Sequence, residues 1–178
     1  GFSAFSEKLE SPDTAMYVKR VYMSLIDEYF PYASFYKSTG DGLLLLISFD
    51  EHSLIEVSQK VMDSCVRCHA DFGGICDNDP MINFETPSEI GIGVSRGTAC
   101  CLRTGDQIID YSGRLINLTA RLTDLARPSG IVIDTKFKTD DVLTEEQKQG
   151  FIEGEVFIKG IAEEEPIAVS YTGDFTEF

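Results

Sequence analysis

Asn117 and Arg121 are the first residues here whose types and spacing could do chemistry. They stand four apart in a stretch where Leu115, Leu118, Leu122 and Leu125 recur at three- and four-residue intervals. That recurrence predicts an amphipathic helix with one apolar stripe on a core. Residues four apart project from one helix face, a turn from each other. An amide and a guanidinium so placed can hold a sugar oxygen and a phosphate together. Taken alone, such spacing more often marks an ordinary surface Asn and Arg. Asp41 is the second candidate, in Gly40-Asp41-Gly42 between two apolar runs. Gly-Asp-Gly is first of all turn chemistry. A carboxylate on a rigid hairpin can also hold Mg²⁺ together with substrate phosphates. Lys37, four residues earlier, reads by itself as a solvated charge on the incoming strand.

The cysteines offer less. There are five, Cys65, Cys68, Cys76, Cys100 and Cys101. An odd number with no visible export signal predicts reduced thiols in the cytosol, and hence a cytoplasmic protein. Cys65-Val66-Arg67-Cys68-His69 matches the short Cys-x-x-Cys-His pattern of haem attachment, but attachment needs an export route and an axial partner. The reading preferred here is a helix in which Cys65 and Cys68 act as small apolar residues. Zinc lacks a second Cys/His pair at ligand spacing. His52 and His69 fall on predicted helices and read as structural or exposed.

The elements that must position Asn117, Arg121 and Asp41 follow from the pattern. A helix is predicted from Ser11, with Pro12 at its first position, to about Phe30, where Pro31 stops it. Its stripe is Met16, Val18, Val21, Tyr22, Leu25, Ile26 and Tyr29. Residues 33–37 and 43–49 form a hairpin around the Gly-Asp-Gly turn. The run Leu43–Ile47 is apolar on both faces and predicts a central, doubly covered strand. A second helix covers 50–69, reaching Phe72, and 73–88 is an exposed loop. Strands follow at 89–96 and around 99–102. Asp110-Tyr111-Ser112-Gly113 is a turn opening the helix over 114–127. A buried strand at 131–134, a short charged helix at 144–150 and strands at 155–160 and 166–171 close the chain, with Glu163-Glu164-Glu165 as a solvated turn. The fold class is α+β, with helices on one face of a mainly antiparallel sheet.

The totals bound the function. Of 178 residues, 43% are hydrophobic and 25% charged, which suits a globular protein of one domain. Thirty acidic against fifteen basic residues give a net charge of −15. Such a surface repels nucleic acid and anionic membranes, though not one small anion met by a local positive cluster. No apolar run approaches a membrane span.

Five segments together resemble the class III nucleotidyl cyclases. They are Gly1-Phe2-Ser3-Ala4-Phe5-Ser6-Glu7, Lys37-Ser38-Thr39-Gly40-Asp41-Gly42, Ile90–Gly97, Ile116-Asn117-Leu118-Thr119-Ala120-Arg121-Leu122 and Val156–Glu163. The corresponding family patterns are Asp-Ile-x-Gly-Phe-Ser, Lys-x-x-Gly-Asp-Gly, Gly-Ile-x-x-Gly, Val-Asn-x-Ala-x-Arg-Leu and Lys-Gly-Ile-x-Glu. The match runs in order over nearly the whole chain. The resemblance implies a ferredoxin-like cyclase domain over residues 1–178. It implies conversion of a nucleoside triphosphate to a 3′,5′-cyclic monophosphate and pyrophosphate, with two divalent ions, Mg²⁺ or Mn²⁺, at a site shared between two subunits of a homodimer. It implies Asp41 as a metal ligand, Asn117 as the residue that orients the ribose, and Arg121 as the stabiliser of α-phosphate charge. Lys37 and Asp110 would read the base. Backbone N–H groups after Phe2 and Ser3 would meet the phosphates.

Three departures sharpen this picture. The family's first metal aspartate would lie three residues before Gly1. The phosphate-binding lysine that some members carry is replaced by Ile161, so pyrophosphate contacts are expected from Arg96, Arg103 or Arg114. The turn before Asn117 is two residues shorter than in many bacterial members. A Lys37/Asp110 pair suits adenine, and cAMP as product. The short turn, with Ala126-Arg127-Pro128-Ser129-Gly130, equally resembles the bacterial pyrimidine cyclases of anti-phage (Pycsar) signalling, whose products are cUMP and cCMP. The alternative to an enzyme is a catalytically inactive, nucleotide-binding regulatory domain.

Overall fold

A computed structural model describes residues 11–40, 42–78, 85–137 and 139–173. The residues divide into two compact units, Gly1–Glu89 and Ile90–Phe178.

In the first unit, α1 spans Ser11–Ser24 and continues into a π-helical turn, Leu25–Tyr29. The turn closes with Phe30 N donating to Leu25 O at 3.1 Å. The buried residues are Tyr17, Val21, Leu25, Tyr29 and Phe30. Met16, expected on this stripe, is 72% exposed, and Tyr17 takes its place. A strict four-residue repeat runs from Tyr17 to Tyr29, and it selects the face. The hairpin pairs β1 (Phe35–Thr39) with β2 (Gly42–Leu46) in register Thr39↔Gly42. Among the described residues β2 pairs with β1 alone, and all five of its residues are half-buried rather than doubly covered. An apolar run marks a strand able to be covered on both faces; it does not supply the neighbour.

The second helix of this unit, α2, runs Leu54–Asp77. It begins later than expected because Asp50 makes a local turn, its Oδ1 accepting from His52 N (3.0 Å) and Ser53 N (2.8 Å). His52 therefore lies in that turn, not on a helix. The helix also ends later, passing through Gly73 and Gly74 to bury Cys76. Its last carbonyls are satisfied from α1. Arg20 donates to Ile75 O (2.9 Å) and Cys76 O (3.2 Å), and the Tyr17 hydroxyl donates to Cys76 O (3.2 Å). That long-range cap overrides the two glycines. Cys65 and Cys68 are 2% exposed, as small apolar residues are.

In the second unit, β3 (Gly91–Val94) pairs in parallel with β6 (Gly130–Asp134), β6 antiparallel with β8 (Ala162–Thr172), and β8 antiparallel with β7 (Phe151–Ile158). A separate hairpin joins β4 (Cys100–Thr104) to β5 (Gln107–Ser112). Asp110, Tyr111 and Ser112 are thus the end of a strand, not a turn. Glu163–Glu165 likewise belong to β8 and stay exposed along it. α3 spans Arg114–Leu125; two short helices, α4 (Thr139–Val142) and α5 (Glu145–Gln149), precede β7. Thr144 and Gln147 form a capping box at the start of α5. Leu118, Leu122, Ala126, Val132, Val156, Ile158, Ala162 and Val169 make one core cluster, so the leucine stripe of α3 lies on the sheet.

What lets α3 come so close is glycine. A Cβ built on Gly93 would stand 2.6 Å from both Thr119 O and Thr123 Oγ1; one on Gly91 would stand 2.9 Å from Ala126 O. The obstacle at Gly93 is largely helix backbone, which cannot swing aside. Gly93→Ala should therefore cost about 3 kcal/mol of unfolding free energy, the upper end of overpacking penalties, as read by urea denaturation. Burial pushes the Cys68 thiol up to about 12 from its ordinary 9. A raised folded pKa means that this stability is complete below pH 9 and is lost as pH rises towards 12. Between pH 9 and 10 the loss should be about 1 kcal/mol for this group, and Cys68→Ala should flatten that part of the profile.

Candidate active site

A single residue, Gly113, joins β5 to α3. Its φ of 144° is one that side chains rarely adopt, so the sharp passage from strand to helix requires glycine. Its carbonyl accepts from Ile116 N (3.1 Å) and Asn117 N (3.4 Å), starting the helix without a side-chain cap. On the sheet side of α3, Leu118 and Leu122 are buried. Towards β3, Thr119 and Thr123 turn their hydroxyls back on their own helix, to Leu115 O and Thr119 O, each at 2.9 Å. The Thr119 hydroxyl also meets that of Ser95.

The opposite face carries the candidate pair, and both members are exposed. The Asn117 side chain makes no hydrogen bond among the described residues. Arg121 Nη1 lies 3.5 Å from Asp124 Oδ2, and both side chains are more than half exposed. Arg127 Nε approaches the other oxygen of Asp124 at 3.9 Å. One carboxylate is thus shared by two guanidinium groups. Exposed pairs of this kind contribute little, so a phosphate can take Arg121 from Asp124 at small cost.

Asp110, half-buried on β5, lies opposite Leu102 on β4, and its Oδ1 accepts from Tyr111 N at 2.8 Å. The register passes from Leu102↔Asp110 to Arg103↔Ile108, leaving Ile109 without a partner. Such a bulge re-aims the strand beside it. Arg96 is half-buried just past β3, and Arg103 is exposed on β4. Arg114, exposed in the first turn of α3, donates from Nη2 to Ile161 O at 3.0 Å. This unit therefore carries Asp110 on β5 and Asn117 and Arg121 on α3, with Arg114 on the same helix face.

Lys37 belongs to the first unit, exposed on β1 opposite Leu44. The turn that follows it is held from α1, where the Tyr22 hydroxyl donates to Gly42 O (2.9 Å) and Gly40 O (3.3 Å). Spacing placed Tyr22 on the helical stripe but not against the turn, since a helix face and a hairpin meet only in the folded chain. Asp41, Phe2 and Ser3 lie outside the described residues. Among the described residues no three His, Cys, Asp or Glu side chains converge on a metal position. An ion held mainly by phosphate oxygens and water needs one or two protein carboxylates and not a cage. No helix among the described residues is long and apolar enough to cross a membrane.

The fold so described is that of the class III nucleotidyl cyclases. Among solved structures, the adenylyl cyclase CyaB from P. aeruginosa superposes with a TM-score of 0.72, covering 99% of this chain and 90% of that one at 16% identity. The guanylyl cyclase Cya2 gives 0.62 over 99% and 88% at 15% identity. Adenylate cyclases from Trypanosoma brucei give 0.50 over 90% and 77% at 17% identity. No protein-family model matches the chain, and no curated protein matches it in sequence. Identities this low speak for the fold.

Asp124→Asn removes the carboxylate that competes for Arg121. It should change unfolding free energy by less than about 1 kcal/mol and tighten tripolyphosphate binding roughly 2- to 5-fold in a competition titration.

Proposed function

We propose that this chain is the catalytic domain of a nucleotidyl cyclase, one domain over residues 1–178. The 3′-hydroxyl of a nucleoside triphosphate attacks its own α-phosphorus. An O–P bond forms there, the bond to the bridging oxygen breaks, and pyrophosphate leaves. The observation that carries the reading is the Asn117–Arg121 pair, exposed on a helix whose other faces are locked onto a sheet, in a chain with a cyclase fold.

Each residue then has a task. The Asn117 amide orients the ribose, bringing the hydroxyl in line with the α-phosphorus. The Arg121 guanidinium exchanges Asp124 for the non-bridging α-phosphate oxygens, where charge builds in the transition state. Asp110 accepts a hydrogen bond from the base, and Lys37 works with it. Backbone N–H groups near Phe2 and Ser3 meet the phosphate chain. Asp41 would hold a divalent ion, Mg²⁺ or Mn²⁺, whose chemistry is to favour the alkoxide and offset phosphate charge. Two copies of the chain would complete each site, Lys37 and Asp41 coming from one and Asn117 and Arg121 from the other.

Incubating the protein with Mn²⁺ and each of the four nucleoside triphosphates in turn should release cyclic monophosphate and pyrophosphate from at least one. Arg121→Ala should lower that rate by roughly 10²–10³ while shifting stability by less than about 1 kcal/mol. Nucleotide binding without any cyclic product would instead identify an inactive regulatory domain.

A further inference from the structure

We propose that the cleft between α1 and α2 binds a small primary amine, its ammonium between Glu28 and Asp71 and an uncharged, hydroxyl-bearing body along the rest of the groove. This site is separate from the one described above and uses neither Asn117 nor Arg121. The cleft has a volume of about 430 Å³ and lies wholly within the first unit. That volume is in the range of small-molecule sites.

Its shape follows from two helices running in opposite directions. The Tyr17 hydroxyl reaches Cys76 O, Arg20 reaches Ile75 O, and the Tyr29 hydroxyl reaches Asp71. Ser24 on α1 and Gly74 on α2 line the middle. A Cβ built on Gly74 would meet nothing within 4 Å, so the space above that backbone is open. Glu28 and Tyr29 come from the π-helical turn Leu25–Tyr29. Turns of this kind are frequent at functional sites.

The two ends of the cleft differ in charge. At one end Arg20 lies against the last carbonyls of α2. At the other, the buried Tyr29 hydroxyl donates to Asp71 Oδ2 at 2.9 Å. Burial pushes that hydroxyl up to about 12, and the Asp71 hydrogen bond and the Asp71 and Glu28 charges push the same way. Both carboxylates therefore act on one point. Among the described residues Glu28 makes no hydrogen bond or ion pair, and the second oxygen of Asp71 accepts no hydrogen bond. The Ser24 hydroxyl and the Asn78 side-chain amide, both lining the cleft, likewise make no hydrogen bond among the described residues.

An ammonium has three donors and no acceptor, which suits a pair of carboxylates. Arg20 stands eight residues from Glu28, roughly 12 Å along the helix, and repels a second ammonium at its end. One charge with a neutral body of hydroxyls, meeting Ser24 and Asn78, satisfies the groups present. A polyamine does not.

A chain of net charge −15 attracts any cation diffusely, so the test must separate a site from that attraction. Wild-type protein, Asp71→Asn, Glu28→Gln and the distant Glu164→Gln are titrated calorimetrically with glucosamine, N-acetylglucosamine and spermidine at about 0.15 M salt. Glucosamine should saturate one site on the wild type with a Kd below about 1 mM. N-acetylglucosamine, which lacks the ammonium, should bind at least about tenfold more weakly. Asp71→Asn and Glu28→Gln should each weaken glucosamine about tenfold, as hydrogen bonds to charged groups are strong ones. Glu164→Gln should leave its binding unchanged. Melting temperatures of the variants should stay near the wild-type value, since Glu28, Asp71 and Glu164 are exposed. Equal binding of the two sugars overturns the proposal. So does an effect of Glu164→Gln as large as that of Asp71→Asn, spermidine binding that is tighter than that of glucosamine and lost in Asp71→Asn, or no saturable binding of glucosamine. None of these results touches the cyclase reading, which has its own assay.

Discussion

The second unit depends on two backbones meeting with no side chain between them. β3 shows its glycines to α3, and the helix settles until Thr119 and Thr123 lie where a Cβ would be. That contact fixes the axial and rotational position of the helix. Leu118 and Leu122 then fall on the sheet core, and Asn117 and Arg121 must face away from it. A glycine strand is locally weak, being poor in side-chain contacts. Here the weakness is offset by the leucine stripe and by pairing to β6, all of whose residues are buried. The sheet thereby holds the proposed chemistry on a rigid element.

Charge sets a second constraint. A chain of net charge −15 can receive a polyphosphate only where cations are gathered locally. Arg121 on α3 and Arg127 just past its end share the carboxylate of Asp124. The shared carboxylate keeps two guanidinium groups near the surface without burying either. An anion taken up at Arg121 would exchange one exposed ion pair for a stronger charge-assisted contact.

Much of this was legible before folding. The leucine spacing of 115–125 and the Gly-Asp-Gly turn marked a helix and a hairpin, and the structure has both. The termini of elements were less legible. α2 outruns its expected end because Arg20 and Tyr17, more than fifty residues away, satisfy its last carbonyls. Asp110–Ser112 read as a turn because Asp, Ser and Gly favour turns; pairing with Cys100–Leu102 makes them strand. Spacing put Tyr22 on the helical stripe, but its bridge from helix to hairpin exists only in the folded chain. Leu43–Leu46 predicted a doubly covered strand, yet apolar side chains record an affinity for cover and not its presence.

The sequence by itself determined that Asn117 and Arg121 share an exposed helix face, because residue type and helical spacing are local properties. It also placed glycines at 91, 93 and 113. Only the tertiary structure decided what those glycines are for. Close approach and a φ of 144° are relations between elements, set when α3 lands on β3 and β5 turns directly into it. The same landing ties Arg114 to the Ile161 carbonyl, a partner forty-seven residues away that no periodicity could name.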